Sequence, residues 1–202
     1  MAKRKKLIGE IYEMKVDQGK LKKLLDADDP IYVEGVIQRA NAFNANKRLY
    51  SKDILEREID RYVDEFVKDN NAYGELDHPD RFEVEYKTAS HIMEDIWWKG
   101  DEVYGRIQIL PAEYFPCGRI MRGVLKISGK IGFSSRGFGS EVTIGNNQFQ
   151  VNEDYSLSAW DGVTNPSTGQ AFGFLAENSN ISMVDYERLL SSVDTTIYSI
   201  LK

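Results

Sequence analysis

His78, Ser134 and Ser135 are the residues of this chain best placed by type and spacing to do covalent chemistry. His78, one of only two histidines, lies in Gly74-Glu75-Leu76-Asp77-His78-Pro79, and the serines lie in Gly132-Phe133-Ser134-Ser135-Arg136-Gly137. A hydroxyl is a weak nucleophile at neutral pH. It needs an imidazole within hydrogen-bond reach to take its proton and later return it to a leaving amine. His78 occupies a Gly/Pro/Asp-rich turn, and such loops often carry functional side chains. The glycines around the serines let a substrate approach the backbone closely. The chemistry expected of these residues is acyl transfer by an activated serine, as in a serine protease.

Successive side chains of a strand point to opposite faces, so only one of Ser134 and Ser135 can face His78 from an extended backbone. His91 begins a hydrophobic strand, where a histidine is more often structural. Other chemistries lack their signatures. There is no His-Glu-x-x-His helix and no cysteine pair to hold a metal, and no phosphate-binding glycine loop. Neither serine lies in a Gly-x-Ser-x-Gly elbow, which argues against an α/β-hydrolase. No metal or organic cofactor is expected.

Four sequence words, in order, resemble the prohead maturation proteases of tailed bacteriophages of the T-even type. Asn44-Ala45-Asn46-Lys47-Arg48-Leu49-Tyr50 is similar to the family's Asn-x-Asn-Gly-Arg-x-Tyr, with Lys47 in place of the glycine. Gly-Glu-Leu-Asp-His-Pro and Gly-Phe-Ser-Ser-Arg-Gly follow. Trp160-Asp161-Gly162-Val163-Thr164-Asn165-Pro166-Ser167 resembles the closing Asp-x-Val-x-x-Pro-Ser. The resemblance spans about residues 31–172. It implies a herpesvirus-protease-like β-barrel with surrounding helices, and it favours Ser134 as nucleophile, with Ser135 a neighbour that packs or hydrogen-bonds.

A third group should hold the His78 imidazole in one tautomer and stabilise its positive charge. The resemblance points to Asp161, which follows the serine as the third member does in this fold. Some relatives use a Glu two positions earlier, where this chain has Ala159 on the same strand face. The bland reading of Asp161 is a turn aspartate satisfying backbone donors. His91 is the alternative third member, although its place before the serine fits the herpesvirus order poorly. Arg136 has three readings: an oxyanion stabiliser, a ligand for an acidic substrate side chain, or a salt bridge.

The resemblance further implies a serine endopeptidase made in the host bacterial cytoplasm and packaged in the prohead as a homo-oligomer. There it would cleave scaffold, core and capsid proteins. The rival expectation is a non-catalytic scaffold or capsid-binding protein of the same fold. T-even-type relatives cut after Glu when Leu or Ile stands two residues before it. Self-cleavage is therefore expected after Glu177, in Leu175-Ala176-Glu177, and after Glu10, in Ile8-Gly9-Glu10.

The size of the chain, 202 residues with 42% hydrophobic composition, suits one domain with its own core. One cysteine, Cys117, cannot form an intramolecular disulfide, and no apolar run is long enough to span a membrane. A reducing cytoplasm is the expected setting. Met1 to Leu24 holds eight Lys/Arg against three Asp/Glu, so against a formal net charge of −6 for the whole chain the remainder carries −11. The domains expected are a basic arm or first strand at 1–29, a protease domain at 30–172 and a tail at 173–202. The acidic body shows no interleaved aromatic and basic residues, so neither nucleic acid nor a membrane is an expected partner.

The elements that must position these residues follow from periodicity. Strands are expected at 30–38, 90–98, 102–110, 130–135, 141–144, 148–151 and 155–164, with tight turns at Lys99-Gly100-Asp101 and Gly145-Asn146-Asn147. Leu55, Ile59, Tyr62, Val63 and Phe66 behind a Ser51 N-cap predict a helix ending near Asn70, and 116–126 predicts a second with Pro116 in its first turn. After Pro166 the composition reads as loop or tail. The sum is a β-rich α+β domain.

Overall fold

Runs rich in β-branched and aromatic residues form most of the strands. The computed structural model describes residues 30–168 and the strand at 172–175. The basic arm at 1–29 and both expected self-cleavage sites lie outside the described residues. In chain order the strands are β1 (Ile31–Arg39), β2 (Arg48–Leu49), β3 (Tyr73–Glu75), β4 (Ala89–Lys99), β5 (Glu102–Ile109), β6 (Lys130–Phe138), β7 (Glu141–Gly145), β8 (Gln148–Val151), β9 (Ser156–Val163) and β10 (Phe172–Leu175). The helices are α1 (Lys52–Tyr62), which continues as a π turn over Val63–Val67, and α2 (Pro116–Ser128).

Local chemistry sets the boundaries. The β4–β5 hairpin turns through Gly100, with φ +62°, and the β7–β8 hairpin through Asn146 and Asn147, with φ +46° and +60°. The latter is the left-handed pair a two-residue hairpin requires. Asn70, at φ +52°, ends the helical stretch as expected. Gly129, at φ +73°, caps α2 and lets the chain turn directly into β6.

Seven strands form one sheet in the order β3-β4-β5-β1-β10-β6-β9, and β2, β8 and β7 form a second. Past β3, Leu76 makes a single parallel bridge to Gly162 of β9, and the Asp77 N–H donates to the Gly162 carbonyl at 2.9 Å. The two edges of the sheet therefore meet at one bridge. Among the described residues this is not a closed barrel, and the expected barrel is corrected to a strand-rich α and β domain whose sheet edges approach without a continuous ladder.

The sequence reading also missed β10. It was expected as loop or tail, yet it runs between β1 and β6. Four residues around Gly173 are too few to show a period of two, and only pairing on both sides makes them a strand. The buried core includes Ile37, Leu55, Met93, Ile107, Phe133, Leu157 and Trp160. Burying each such side chain contributes roughly 1.5–3 kcal/mol. From α1, Leu55, Ile59 and Tyr62 face inward, and the Tyr62 ring meets Trp160 edge-on at 5.2 Å. This packing fixes β9 from behind, and β9 carries Asp161.

Candidate active site

The register of β6 against β9 sets Ser134 opposite Asp161, Ser135 opposite Trp160 and Arg136 opposite Ala159. Directly opposed residues share a face of the sheet, and residues two apart on one strand share it too. Ser134, Arg136 and Asp161 therefore lie together. Ser135 is on the other face with Trp160, and its side chain lies against Tyr155.

His78 reaches this face from the segment after β3. Asp77 and His78 both have positive φ, +62° and +50°, a conformation that costs a non-glycine residue roughly 1–2 kcal/mol. The Leu76–Gly162 bridge and the Asp77 N–H bond to Gly162 hold the turn in place. His78 Nδ1 then lies 2.8 Å from Asp161 Oδ2. An ionised carboxylate only accepts, so Nδ1 carries the proton in this pair and the Nε2 lone pair is left to act as a base.

Asp161 is fully buried and its charge is held from three sides. It accepts the Glu75 backbone N–H at 3.0 Å, Arg136 Nε at 2.7 Å on Oδ2 and Arg136 Nη2 at 3.2 Å on Oδ1. Burial pushes the carboxyl pKa up, but the hydrogen bonds from His78 and Arg136, with the charge of Arg136, outweigh it and hold Asp161 below its ordinary value.

Arg136 is itself buried. Its Nη2 also donates to Glu75 Oε2 at 2.7 Å, and its Nη1 donates to the Arg81 carbonyl at 2.7 Å, with the carbonyls of Phe82 and Glu83 at 3.4 and 3.5 Å. All five N–H groups of the guanidinium are thus accounted for. Of the three readings of this side chain, the geometry matches an ion pair, buried rather than on the surface, and leaves no spare N–H for an oxyanion or a substrate carboxylate. Glu75, also fully buried, additionally accepts from Arg81 Nη2 and Thr88 Oγ1.

The first and last sequence words close the other side. Asn44 Oδ1 accepts the Arg48 N–H at 3.0 Å, Asn44 Nδ2 approaches Ser167 Oγ at 3.4 Å, and the Ala45 N–H donates to the Ser167 carbonyl at 2.7 Å. Ser167 Oγ stands 3.5 Å from Ser134 Oγ. Asn44, Arg48, His78, Ser134, Arg136 and Ser167 line one cleft of about 390 Å³. Lys47 sits in the tight turn of this loop at φ +59°, which explains why glycine suits that position.

His91 is placed elsewhere. It is buried, its ring meets Phe133 at 5.3 Å, and its Nε2–H donates to the Trp160 carbonyl at 2.9 Å while Nδ1 pairs with Ser90 Oγ at 2.9 Å. Burial pushes its pKa down to about 4, so the ring is neutral. It does not line the cleft. Gly74 exists for this contact, since a Cβ there would lie 2.2 Å from both His91 Nε2 and the Trp160 carbonyl oxygen. Sequence reasoning missed Glu75, Ser167 and Asn44 as participants. The signal was their presence inside the same words as the candidate site residues. Among the described residues no cluster of His, Cys, Asp and Glu could hold a metal ion, and no helix is long and apolar enough to cross a membrane.

Comparison with known proteins identifies the family of the chain. The family model described as prohead core protein serine protease matches residues 7–180. The prohead core protein protease of Enterobacteria phage T4 is 39% identical over 144 residues, covering 70% of this chain and 67% of that protein. The solved structure of the bacteriophage T4 capsid assembly protease, gp21, superposes with a TM-score of 0.62 at 38% identity, over 65% of this chain and 80% of that one. The chain belongs to the prohead core protein serine protease family and is a protease of capsid assembly.

Proposed function

We propose that the protein is a serine endopeptidase in which Ser134 attacks the scissile carbonyl, His78 takes and returns the proton, and Asp161 orients and stabilises the imidazole. The observation that carries this reading is the 2.8 Å pair of His78 Nδ1 and Asp161, with Ser134 set opposite Asp161 in the register and lining the same cleft as His78. Asp161 fixes the tautomer that leaves Nε2 basic, which is what a serine nucleophile needs. Glu75 and Arg136 position Asp161 rather than touch the substrate. Ser135 packs behind the site.

The substrates are scaffold, core and capsid proteins of the phage prohead, and the enzyme trims its own ends. It works as a homo-oligomer inside the prohead, in the host cytoplasm, without nucleic acid, membrane, metal or organic cofactor. The approach of the two sheet edges at Leu76 and Gly162 supports a kinship with the barrel of herpesvirus assembly proteases.

Labelling with a fluorophosphonate tests the reading. The wild-type chain, assembled in proheads, is expected to be modified at one serine, and Ser134→Ala not at all. Equal labelling of both proteins would remove Ser134 from the mechanism. No labelling of either in assembled proheads would favour a non-catalytic scaffold-binding role.

A further inference from the structure

Ser167 is held beside the nucleophile by contacts on two sides. Gly132, Ser134 and Arg136 share one face of β6. A Cβ on Gly132 would lie 2.9 Å from Pro166 Cδ, so the missing side chain leaves the seat that Pro166 fills. From the opposite side the Ala45 N–H donates to the Ser167 carbonyl at 2.7 Å. The Ser167 hydroxyl is thereby set 3.5 Å from Ser134 Oγ. Hydrogen-bond polarity gives that hydroxyl a direction. The Arg48 N–H can only donate, so the Asn44 atom that meets it at 3.0 Å is Oδ1, and the amide turns Nδ2 toward Ser167 Oγ, at 3.4 Å. Nδ2 in turn can only donate. Ser167 Oγ accepts from Asn44 and keeps its own O–H to offer toward Ser134, whose proton is the one His78 takes.

We infer that Ser167 is a further catalytic residue, an oxyanion donor, and that Asn44 is the positioning residue that aims its O–H. The inference rests on the serine mechanism proposed above. When Ser134 Oγ bonds to the scissile carbon, its proton passes to His78 Nε2 and the carbonyl π pair moves onto the carbonyl oxygen. That oxygen and Ser134 Oγ are then bonded to one carbon, so they stand closer together than any hydrogen-bonded pair. A hydroxyl already facing Oγ needs only a small rotation to come within about 2.7–3.1 Å of the oxyanion. Ser167 donates a hydrogen bond and keeps its proton. On collapse the electron pair returns to the carbonyl, the C–N bond breaks and His78 delivers its proton to the leaving amine. Contacts of 3.4 and 3.5 Å suit this role, because catalytic hydrogen bonds are long before substrate binds and tighten around the transition state. Arg136 cannot serve, since its N–H groups are engaged by Asp161, Glu75 and backbone carbonyls.

Steady-state kinetics of the full chain on a peptide substrate test both roles. Ser167→Ala is expected to lower kcat by about 10²–10³-fold with KM nearly unchanged, the loss that follows removal of one oxyanion donor. Its affinity for a peptidyl trifluoromethyl ketone, which forms a tetrahedral adduct on Ser134, should fall by the same factor as kcat/KM. Ser167→Thr keeps the hydroxyl and should stay within about tenfold of the wild type. Asn44→Asp keeps the acceptor for the Arg48 N–H, so a role confined to holding the loop would leave kcat alone. It removes the donor to Ser167, however, and offers a carboxylate that draws the Ser167 O–H away, so kcat should fall by about 10²-fold or more. Added to Ser167→Ala, Asn44→Asp should cost less than about twofold further, because it acts through Ser167 rather than through its own charge. If Ser167→Ala lowers the urea midpoint, Asn44→Asp at an unchanged midpoint decides. A kcat within about threefold of wild type in either single variant, or a loss confined to KM, overturns the inference and leaves the triad standing as long as Ser134→Ala is dead. Activity that survives Ser134→Ala refutes the serine mechanism itself and the oxyanion role with it.

Discussion

Arg136 and Asp161 form a forked ion pair, Nε to Oδ2 at 2.7 Å and Nη2 to Oδ1 at 3.2 Å, on the same carboxylate that His78 Nδ1 meets at 2.8 Å. A cation this close would cancel much of the pull Asp161 exerts on an imidazolium. Glu75 offsets it. The buried group of Glu75, Arg136 and Asp161 carries a net charge of −1, and Arg81 joins it from the partly exposed rim. Low-dielectric surroundings make such networks sensitive to the loss of any member.

Glu75→Gln should therefore act on turnover through Asp161 without touching substrate. Arg136 loses its second carboxylate and draws Asp161 away from His78. The expected result is a kcat lower by about tenfold or more with KM nearly unchanged, together with a stability loss of about 3 kcal/mol from the broken buried pair. Steady-state kinetics on a peptide substrate and urea unfolding check both. A purely structural Glu75 would lower stability and leave kcat alone.

Ser134→Ala and His78→Ala should each abolish proteolysis, by a factor of roughly 10³ or more, and the double variant should be no worse, because nucleophile and base act as one unit. Ser135→Ala should keep substantial activity, since it faces Tyr155 and Trp160 rather than His78. Asp161→Asn is expected to reduce kcat by roughly 10³–10⁴ through the wrong tautomer. If Ser135→Ala is dead while Ser134→Ala is active, the nucleophile is Ser135.

Lys47 offers a stabilising change. It holds a left-handed backbone at φ +59° where relatives are expected to have glycine. Its N–H donates to the Asn44 carbonyl at 2.9 Å and its own carbonyl accepts from Phe149, so the turn cannot relax. Lys47→Gly should relieve about 1 kcal/mol of strain, less the added freedom of the unfolded chain. A chemical denaturation midpoint that rises or stays level agrees, and one that falls by the equivalent of more than about 1 kcal/mol does not.

The motif words were legible as chemistry, but their physical reasons were not. Gly74 looks like a turn glycine in sequence, yet it is there because His91 and the Trp160 carbonyl leave no room for a Cβ. Glu75 looks like a solvated acid and is fully buried, and nothing in its neighbours announces Arg136, 61 residues away. The long elements β1, β4, β5, α1 and α2 were visible because their apolar spacing extends over several turns or strand repeats. β3 and β10, three and four residues long, depend on tertiary pairing for their existence.

His91 makes stability depend on pH. Burial pushes its pKa down to about 4 against the ordinary 6.5, with the Asp161 charge, the Trp160 carbonyl and Glu75 opposing but not overcoming it. Between those values the unfolded chain binds a proton that the folded chain does not. Stability is therefore fully present above pH 6.5 and is lost as pH falls toward 4, by roughly 3 kcal/mol in all. Asp161, depressed below its ordinary 3.8, adds a loss of the same sign at lower pH. Urea unfolding of the Ser134→Ala protein at pH 7 and pH 4.5 should show the fall. His91→Gln should flatten it while lowering stability at pH 7, and an equal fall in both proteins would assign the effect to other groups.

Self-processing should be confined to the ends of the chain. The words Ile54-Leu55-Glu56 and Ile92-Met93-Glu94 have the same pattern as the terminal ones, with a Leu or Ile two residues before Glu. The structure locks both away. The first lies in α1 with Ile54 and Leu55 buried, and the second in β4 with Met93 buried and paired to Ile107. A protease needs an extended backbone, so cutting either word requires local unfolding of a helix or of a central strand. Cleavage after Glu10 touches no described element, and cleavage after Glu177 requires only Leu175, the last residue of β10, to come away from Val33. Intact-mass analysis of the wild type, incubated beside Ser134→Ala, should show loss of 178–202, and of 1–10, in the active protein alone. Cuts after Glu56 or Glu94 at native conditions, identical cuts in both proteins, or no terminal fragment from active enzyme would each refute it.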